Sequence, residues 1–138
     1  MCVNNMVSLP TGNLGLDELL NILNTLPVDI TFVDKDDKVR YFSETKGRIF
    51  VRPRTIIGRE VKNCHPAKSL AAVEKIIKSF KDGTKDSHSF WINLQGKMVY
   101  IRYFAVRDSE KKYMGTLEVT QDITDIKKIE GEKRLMDA

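Results

Sequence analysis

The stretch of sequence that decides the fold runs from Ser87 to Thr124 and reads SHSFWINLQGKMVYIRYFAVRDSEKKYMGTLEVTQDIT. Aromatic and β-branched residues dominate this stretch, and short polar runs divide it, which is the pattern of consecutive antiparallel strands. We predict three strands, over Ser87–Leu94, Met98–Arg107 and Tyr113–Ile123. The third strand continues directly into a charged segment, so strain in the sheet can be passed to whatever follows it.

A helix and a hairpin are predicted upstream of these strands. The helix covers residues 14–25, where four leucines recur at the spacing of one helical face: Leu16, Leu19, Leu20 and Leu23. Pro27 ends this helix. Val28–Phe32 then alternates apolar and polar residues, and the turn-rich Asp34–Lys38 joins it to Val39–Ser43. This arrangement predicts two antiparallel strands.

The clearest helix in the chain begins near Pro66, because proline suits a first helical position. One apolar stripe follows at helical spacing: Leu70, Val73, Ile76, Ile77 and Phe80. Gly83 stands where the end of a helix favours glycine. We expect this helix to lie against the sheet, and we predict only short helical turns between Glu44 and Cys64.

The segment after the last strand changes to a helical period. Thr124 is a good capping residue. Apolar residues then recur among charged ones: Ile126, Ile129 and Leu135. We therefore divide the chain into a flexible N-terminus over residues 1–13, one domain over residues 14–124, and an exposed C-terminal signalling helix over residues 125–138.

Composition narrows the class of protein. With 138 residues, 41% hydrophobic and 30% charged, the chain fits one compact domain. The sequence has no apolar run long enough to span a bilayer and no secretory leader pattern, and its cysteines are Cys2 and Cys64, so we expect a cytoplasmic protein with reduced thiols. The formal charge of +4 comes without a nucleic-acid-binding motif, and the sequence has no phosphate loop or nucleophile elbow. We expect neither an enzyme nor a partner of nucleic acid or membrane.

Two segments carry a resemblance to a known family. Gly115–Thr124, which closes on Asp-Ile-Thr, resembles the end of a PAS sensory domain, and Ile57–Pro66 is similar to the PAS modules at the C-terminal end of prokaryotic proteins that carry a hemerythrin-like domain. The likeness covers residues 16–130. It implies an α+β PAS fold, in which a five-stranded antiparallel sheet of spatial order 2-1-5-4-3 has helices on one face and a ligand cavity between helix and sheet. The N-terminal amphipathic helix and the C-terminal output helix are additions to that fold.

The resemblance makes heme the leading candidate cofactor, because heme-binding PAS domains commonly take a histidine ligand from this helical region. Pro66 holds the backbone of His65 extended, so the imidazole can project into the cavity and ligate iron. Cys64 offers a competing thiolate, but adjacent residues cannot easily point at one metal atom, and we interpret Cys64 as a buried, inert thiol. Eight further residues are predicted to line the cavity: Leu70, Val73, Ile77, Phe90, Ile92, Ile101, Tyr103 and Leu117.

Two alternatives stay open. A PAS domain can bind a small metabolite, or no cofactor at all, and serve as a dimerisation or interaction module. Asn63-Cys64 resembles the Asn-Cys motif of light-sensing relatives that bind flavin, but the residues that follow, His65 to Lys68, depart from that motif and argue against flavin. The expected partners are a second copy, contacted through Leu16–Leu23 and the outer sheet face, a small-molecule or gas ligand, and an unidentified downstream effector.

Overall fold

A computed structural model of the protein describes residues 5–63 and 65–138. Its helices and strands are, in chain order, β1 Met6–Leu9, β2 Gly12–Gly15, α1 Leu16–Thr25, β3 Asp29–Asp34, β4 Val39–Phe42, α2 Ala67–Lys81, β5 Ser87–Leu94, β6 Lys97–Arg107 and β7 Tyr113–Asp122. Short 3-10 turns lie at Arg54–Ile56, Val61–Asn63, Ile126–Lys128 and Leu135–Asp137. Within the described residues, no helix is both long enough and apolar enough to cross a membrane.

Strands β3 to β7 form one antiparallel sheet in the spatial order β4-β3-β7-β6-β5. Counted along the chain, this is the predicted order 2-1-5-4-3, so the predicted α+β architecture is confirmed. The three C-terminal strands begin and end within one residue of the predicted bounds. A tight turn joins β5 and β6, where Gln95 and Gly96 adopt φ of 51° and 82°, the paired positive angles of a two-residue hairpin turn.

Helix α2 covers one face of the sheet, which we call the inner face. Three residues of its apolar stripe are buried: Val73, Ile77 and Phe80. Phe80 is completely buried and packs in one cluster with Val99 and Ile101 of β6. The apolar face of α2 therefore packs against the inward-facing residues of β6, as the helical spacing and the strand alternation predict.

The N-terminal segment contains structure that the sequence reading did not predict. The described part of residues 1–13, expected to be flexible, forms a hairpin in which β1 pairs with β2. The hairpin is tied to α1, because the Leu16 N–H donates to the Asn5 carbonyl at 2.8 Å and the Gly15 N–H donates to the Glu18 carboxylate at 2.8 Å. Two four-residue strands contain too few apolar positions to show an alternation in the sequence.

The C-terminal segment also differs from the prediction. Two 3-10 turns replace the helix expected over residues 125–138, which we call the C-terminal arm. Its apolar side chains have no core to pack on, since Ile129 is 73% exposed and Leu135 is 88% exposed. Gly131 adopts a φ of 64°, outside the right-handed helical region. A segment this short does not hold an α-helix without tertiary packing.

The opposite, outer face of the sheet is only partly covered. The guanidinium of Arg102 lies 4.8 Å from the ring centroid of Tyr100 and 5.7 Å from that of Phe104. Trp91 is 64% exposed. Helix α1 leaves each of its side chains at least partly accessible. Apolar surface therefore remains on both α1 and the outer face.

The core position of Phe80 gives a first prediction. Phe80→Ala should lower the free energy of unfolding by about 3–5 kcal/mol, because a large buried ring is replaced by a cavity in close-packed surroundings. Urea unfolding followed by circular dichroism measures this change. Leu135→Ala is the matched control and should leave the free energy of unfolding unchanged, since Leu135 is almost fully exposed. Equal stabilities of the two variants would contradict the assignment of the core.

Candidate ligand-binding cavity

A cavity of about 760 Å³ lies between α2, the loop that precedes it, and the inner face of the sheet. Its volume falls within the range of small-molecule and cofactor sites, roughly 300–1,000 Å³. Most of its wall is apolar, with contributions from seven residues: Phe50, Ala72, Val73, Ile76, Phe90, Ile92 and Ile101. A smaller space of about 30 Å³ shares part of this wall and reaches toward Ile77.

The structure brings most of the predicted lining residues together. Six of them lie on the larger cavity: His65, Val73, Phe90, Ile92, Ile101 and Tyr103. Ile77 lines the smaller space. Leu70 is half-buried on α2 but lines neither space. Cys64 lies outside the described residues.

The structure corrects the predicted position of Leu117, which does not line the cavity. In the register of the sheet, Leu117 pairs with Phe32 on β3 and with Phe104 on β6, and all three lie on the outer face. Its neighbours Thr116 and Glu118 are the β7 residues that line the cavities. Side chains alternate between the faces of a strand, so an error of one residue reverses the assignment. The prediction of Leu117 in the cavity assumed that the inner face of β7 is apolar, whereas Thr116 and Glu118 make that face polar.

Glu118 is the functional candidate that the sequence reading missed. It stands directly opposite Tyr103 in the β6–β7 register, so both side chains share the inner face. Once Tyr103 is placed inside, its cross-strand neighbour must be inside as well. That neighbour could be named only after the register between the two strands was known, and the sequence does not contain the register.

Glu118 forms an ion pair with Arg52, a second residue that the sequence reading did not place in the site. Nη2 of Arg52 donates to Oε1 of Glu118 at 3.0 Å, and the two side chains are 16% and 13% exposed. Burying two charges costs desolvation free energy, and removing one partner destabilises the fold because the other charge stays buried without a counter-charge. The cavity therefore contains one fixed positive and one fixed negative charge against an otherwise apolar wall.

Tyr103 stays protonated beside this pair. Burial is the main cause that raises the pKa of its hydroxyl far above the ordinary 10.0, and the negative charge of Glu118 and its hydrogen bond with Tyr103 add to the effect. A phenol in this state can donate a hydrogen bond throughout the physiological range.

His65 is oriented by the backbone of the turn before it. Its Nδ1 lies 3.1 Å from the carbonyl oxygen of Val61. A carbonyl oxygen can only accept, so Nδ1 carries a proton and donates, and in the neutral imidazole the free lone pair then belongs to Nε2. His65 is half-buried and lines both cavities. This is the arrangement that orients metal-ligating histidines.

A metal bound at His65 would have to bring most of its own ligands. Within residues 5–63 and 65–138, no group of three or more histidine, cysteine, aspartate or glutamate side chains is placed to hold a metal ion. Heme meets that condition, because the macrocycle supplies the equatorial ligands and the protein needs to add only an axial one.

An antiparallel sheet roofed by one helix, with a cavity between them, is an architecture that sensory modules share. The family model described as PAS domain matches residues 19–124, so the chain belongs to the PAS domain family. A crystal structure of a C-terminal domain from Streptococcus mutans is similar, with 35% sequence identity, a TM-score of 0.85, and coverage of 91% of this chain and 97% of that one. The predicted PAS resemblance is confirmed.

More distant solved structures support the fold alone. A sensory box sensor histidine kinase from Vibrio cholerae is 13% identical, with a TM-score of 0.56 over 77% of this chain and 89% of that one. The PAS domain of BvgS from Bordetella pertussis is 17% identical, with a TM-score of 0.51 over 81% of this chain and 87% of that one. A comparison with curated protein sequences finds no match. These distant structures therefore agree with the PAS fold of the chain.

The raised pKa of Tyr103 gives a second prediction. Its hydroxyl ionises at lower pH in the unfolded chain than in the folded one, so the free energy of unfolding should fall as the pH rises above about 10, by up to about 1.4 kcal/mol per pH unit for this one group. Tyr103→Phe should remove that contribution. Urea unfolding between pH 8 and pH 11 measures it, with Tyr100→Phe on the outer face as the control. Identical pH dependence in Tyr103→Phe and the wild type would contradict the assignment.

Proposed function

We propose that this PAS domain is a sensor that binds heme in the cavity beneath α2, with Nε2 of His65 as the axial ligand. The observation that carries the proposal is the hydrogen bond from Nδ1 of His65 to the Val61 carbonyl, which turns the unprotonated nitrogen away from the backbone turn. A histidine held in this way presents Nε2 in a defined orientation.

The rest of the cavity suits the same cofactor. A flat macrocycle needs apolar walls on both faces, and here α2 supplies Val73 and Ile76 while the strands supply Phe90, Ile92 and Ile101. Heme, when bound, would supply an iron that responds to redox potential or to small gases. The protein's own residues would hold it, exclude water from it and report its state. This is a sensory role, and we assign no catalytic one.

A small organic molecule without a metal is the second candidate ligand. The observation that favours it is the ion pair of Arg52 and Glu118, which gives the cavity wall two charged groups able to recognise polar substituents. Ser69 on α2 adds a hydroxyl to the same wall. An interaction module without any cofactor is the remaining alternative.

The signal would leave the cavity along β7. This strand lies between β3 and β6 and carries Glu118 at the cavity wall. Beyond its end, the Thr124 hydroxyl donates to the Asp122 carboxylate at 2.5 Å and accepts from the Met98 N–H at 2.9 Å, which ties the start of the C-terminal arm to β6. A ligand that shifts β6 against β7 would therefore move the arm, and an effector bound there would sense the shift.

The domain would act as a homodimer in the cytoplasm. The support for the dimer is the apolar surface on α1 and on the outer face, where Leu16 and Leu20 are each half exposed and Trp91 is mostly exposed. Exposed large apolar side chains of this kind are typical of an interface between subunits.

The heme proposal is tested by absorption spectroscopy. Purified protein titrated with hemin should show a sharp Soret band that shifts on reduction and on addition of carbon monoxide. His65→Ala should lose or greatly shift that band. His88→Ala is the matched control, because His88 packs against the Phe80 ring at 6.2 Å between centroids and lies outside the cavity wall. An unchanged spectrum in His65→Ala would remove His65 from the proposal.

The dimer proposal is tested by a charge placed on α1. Leu20→Lys should shift the protein from dimer to monomer at micromolar concentration, because a lysine on each subunit would be brought into an apolar interface. Sedimentation velocity measures the change. Lys68→Glu on α2 serves as the control for a charge change elsewhere on the surface. A monomeric wild type, or a dimeric Leu20→Lys variant, would contradict this interface.

A further inference from the structure

The proposed heme ligation leaves one charged group of the cavity wall unexplained. Arg52 donates from Nη2 to Glu118, while its Nε lies buried with no hydrogen-bond partner. Buried polar groups are almost always paired, so an unpaired donor at a cavity wall points to a missing acceptor.

The same chain shows what a complete arginine–carboxylate pair looks like. At the surface, Arg54 donates from both Nε and Nη2 to the two oxygens of Glu44, at 3.0 Å and 2.6 Å. This is the bidentate fork that matches guanidinium to carboxylate. Arg52 makes only a single contact with Glu118, although the pair is far more buried. The fork of Arg52 is therefore only half used.

Arg52 is positioned by a loop and not by the sheet. It belongs to the loop between β4 and α2 and lies outside every helix and strand. Glu118, in contrast, is fixed on β7, where Tyr103 faces it across the sheet. A ligand carboxylate that took over Arg52 would therefore leave Glu118 beside the hydroxyl-bearing side chain of Tyr103.

We infer that Arg52 is the recognition residue for a carboxylate on the ligand of this cavity, and that Glu118 holds Arg52 in place until the ligand competes for it. The inference rests on the proposed function for its location. The ligand class is an apolar body with at least one carboxylate, because the wall around Arg52 is built from side chains such as Phe50, Val73 and Ile101. A heme propionate and a free aliphatic acid share this chemistry.

The experiment compares each ligand with its uncharged partner in the full chain. Hemin and hemin dimethyl ester are titrated by absorption, and octanoate and octanamide by calorimetry without heme. Wild type should bind the carboxylate form about tenfold or more tightly than the neutral form, in at least one pair. Arg52→Gln should abolish this preference. Glu118→Gln should increase it, because the competing carboxylate is removed.

The preference is a ratio measured within each protein, so a loss of stability in a variant cancels. Arg54→Gln is the matched control, since it removes a nearby arginine that does not line the cavity, and it should retain the wild-type ratio. A preference for hemin over its ester identifies a propionate. A preference for octanoate in a protein that does not bind hemin identifies a free acid, and it overturns the heme proposal while it supports the role of Arg52.

The opposite results are equally decisive. Tight binding of hemin and its ester with equal affinity would overturn the carboxylate inference and leave the heme proposal standing. A wild-type preference that survives in Arg52→Gln would assign the carboxylate to another group. A weaker preference in Glu118→Gln would overturn the competition between Glu118 and the ligand. Binding of none of the four probes would overturn both proposals.

Discussion

The cavity depends on the network that fastens the loop over residues 44–53 to the sheet. Buried Asp29 on β3 accepts hydrogen bonds from the Ile49 N–H at 2.8 Å and from the Thr45 hydroxyl. Arg48 reaches back from the loop and donates to the Ser43 carbonyl at 2.6 Å, to the Phe50 carbonyl at 2.9 Å and to the Thr31 hydroxyl at 2.8 Å. Removing either charged side chain would leave buried partners unsatisfied, which is more costly than the bond itself is worth. A coil segment thereby acquires the rigidity of the sheet beneath it.

The same principle positions the residues that we assign to the ligand. The loop delivers Phe50 and Arg52 to the cavity wall just after the Arg48 contacts. His65 is held in a parallel way, because its ring bonds to the carbonyl of Val61, and the Val61 N–H donates to the Asp37 carbonyl at 2.7 Å. This construction suits a sensor. An anchored loop holds its side chains in a defined geometry, and a loop can still shift more easily than a strand in the middle of a sheet.

The sequence predicted the elements better than it predicted the site. Residues 87–94 and the stripe from Val73 to Phe80 were correctly predicted, because alternation and helical spacing are local properties strong enough to survive any tertiary context. The hairpin over residues 6–15 was missed because its strands are too short to show a period. A helix was predicted for the C-terminal arm because the spacing of its apolar residues is helical, but Ile129 and Leu135 stay exposed, and spacing alone does not stabilise a helix.

The residue patterns of the sequence determined the five strands and the covering helix, and its resemblance to PAS domains supplied the fold class and the order of the strands. Only the tertiary structure decided which side chains meet there. Leu117 is outside and Glu118 inside because of the register between β6 and β7, and a slip of one residue exchanges the two faces. Arg52 and Glu118 are 66 residues apart in the chain, and no local pattern connects them. Their pairing follows from the packing of a loop onto a sheet, which is a property of the whole fold.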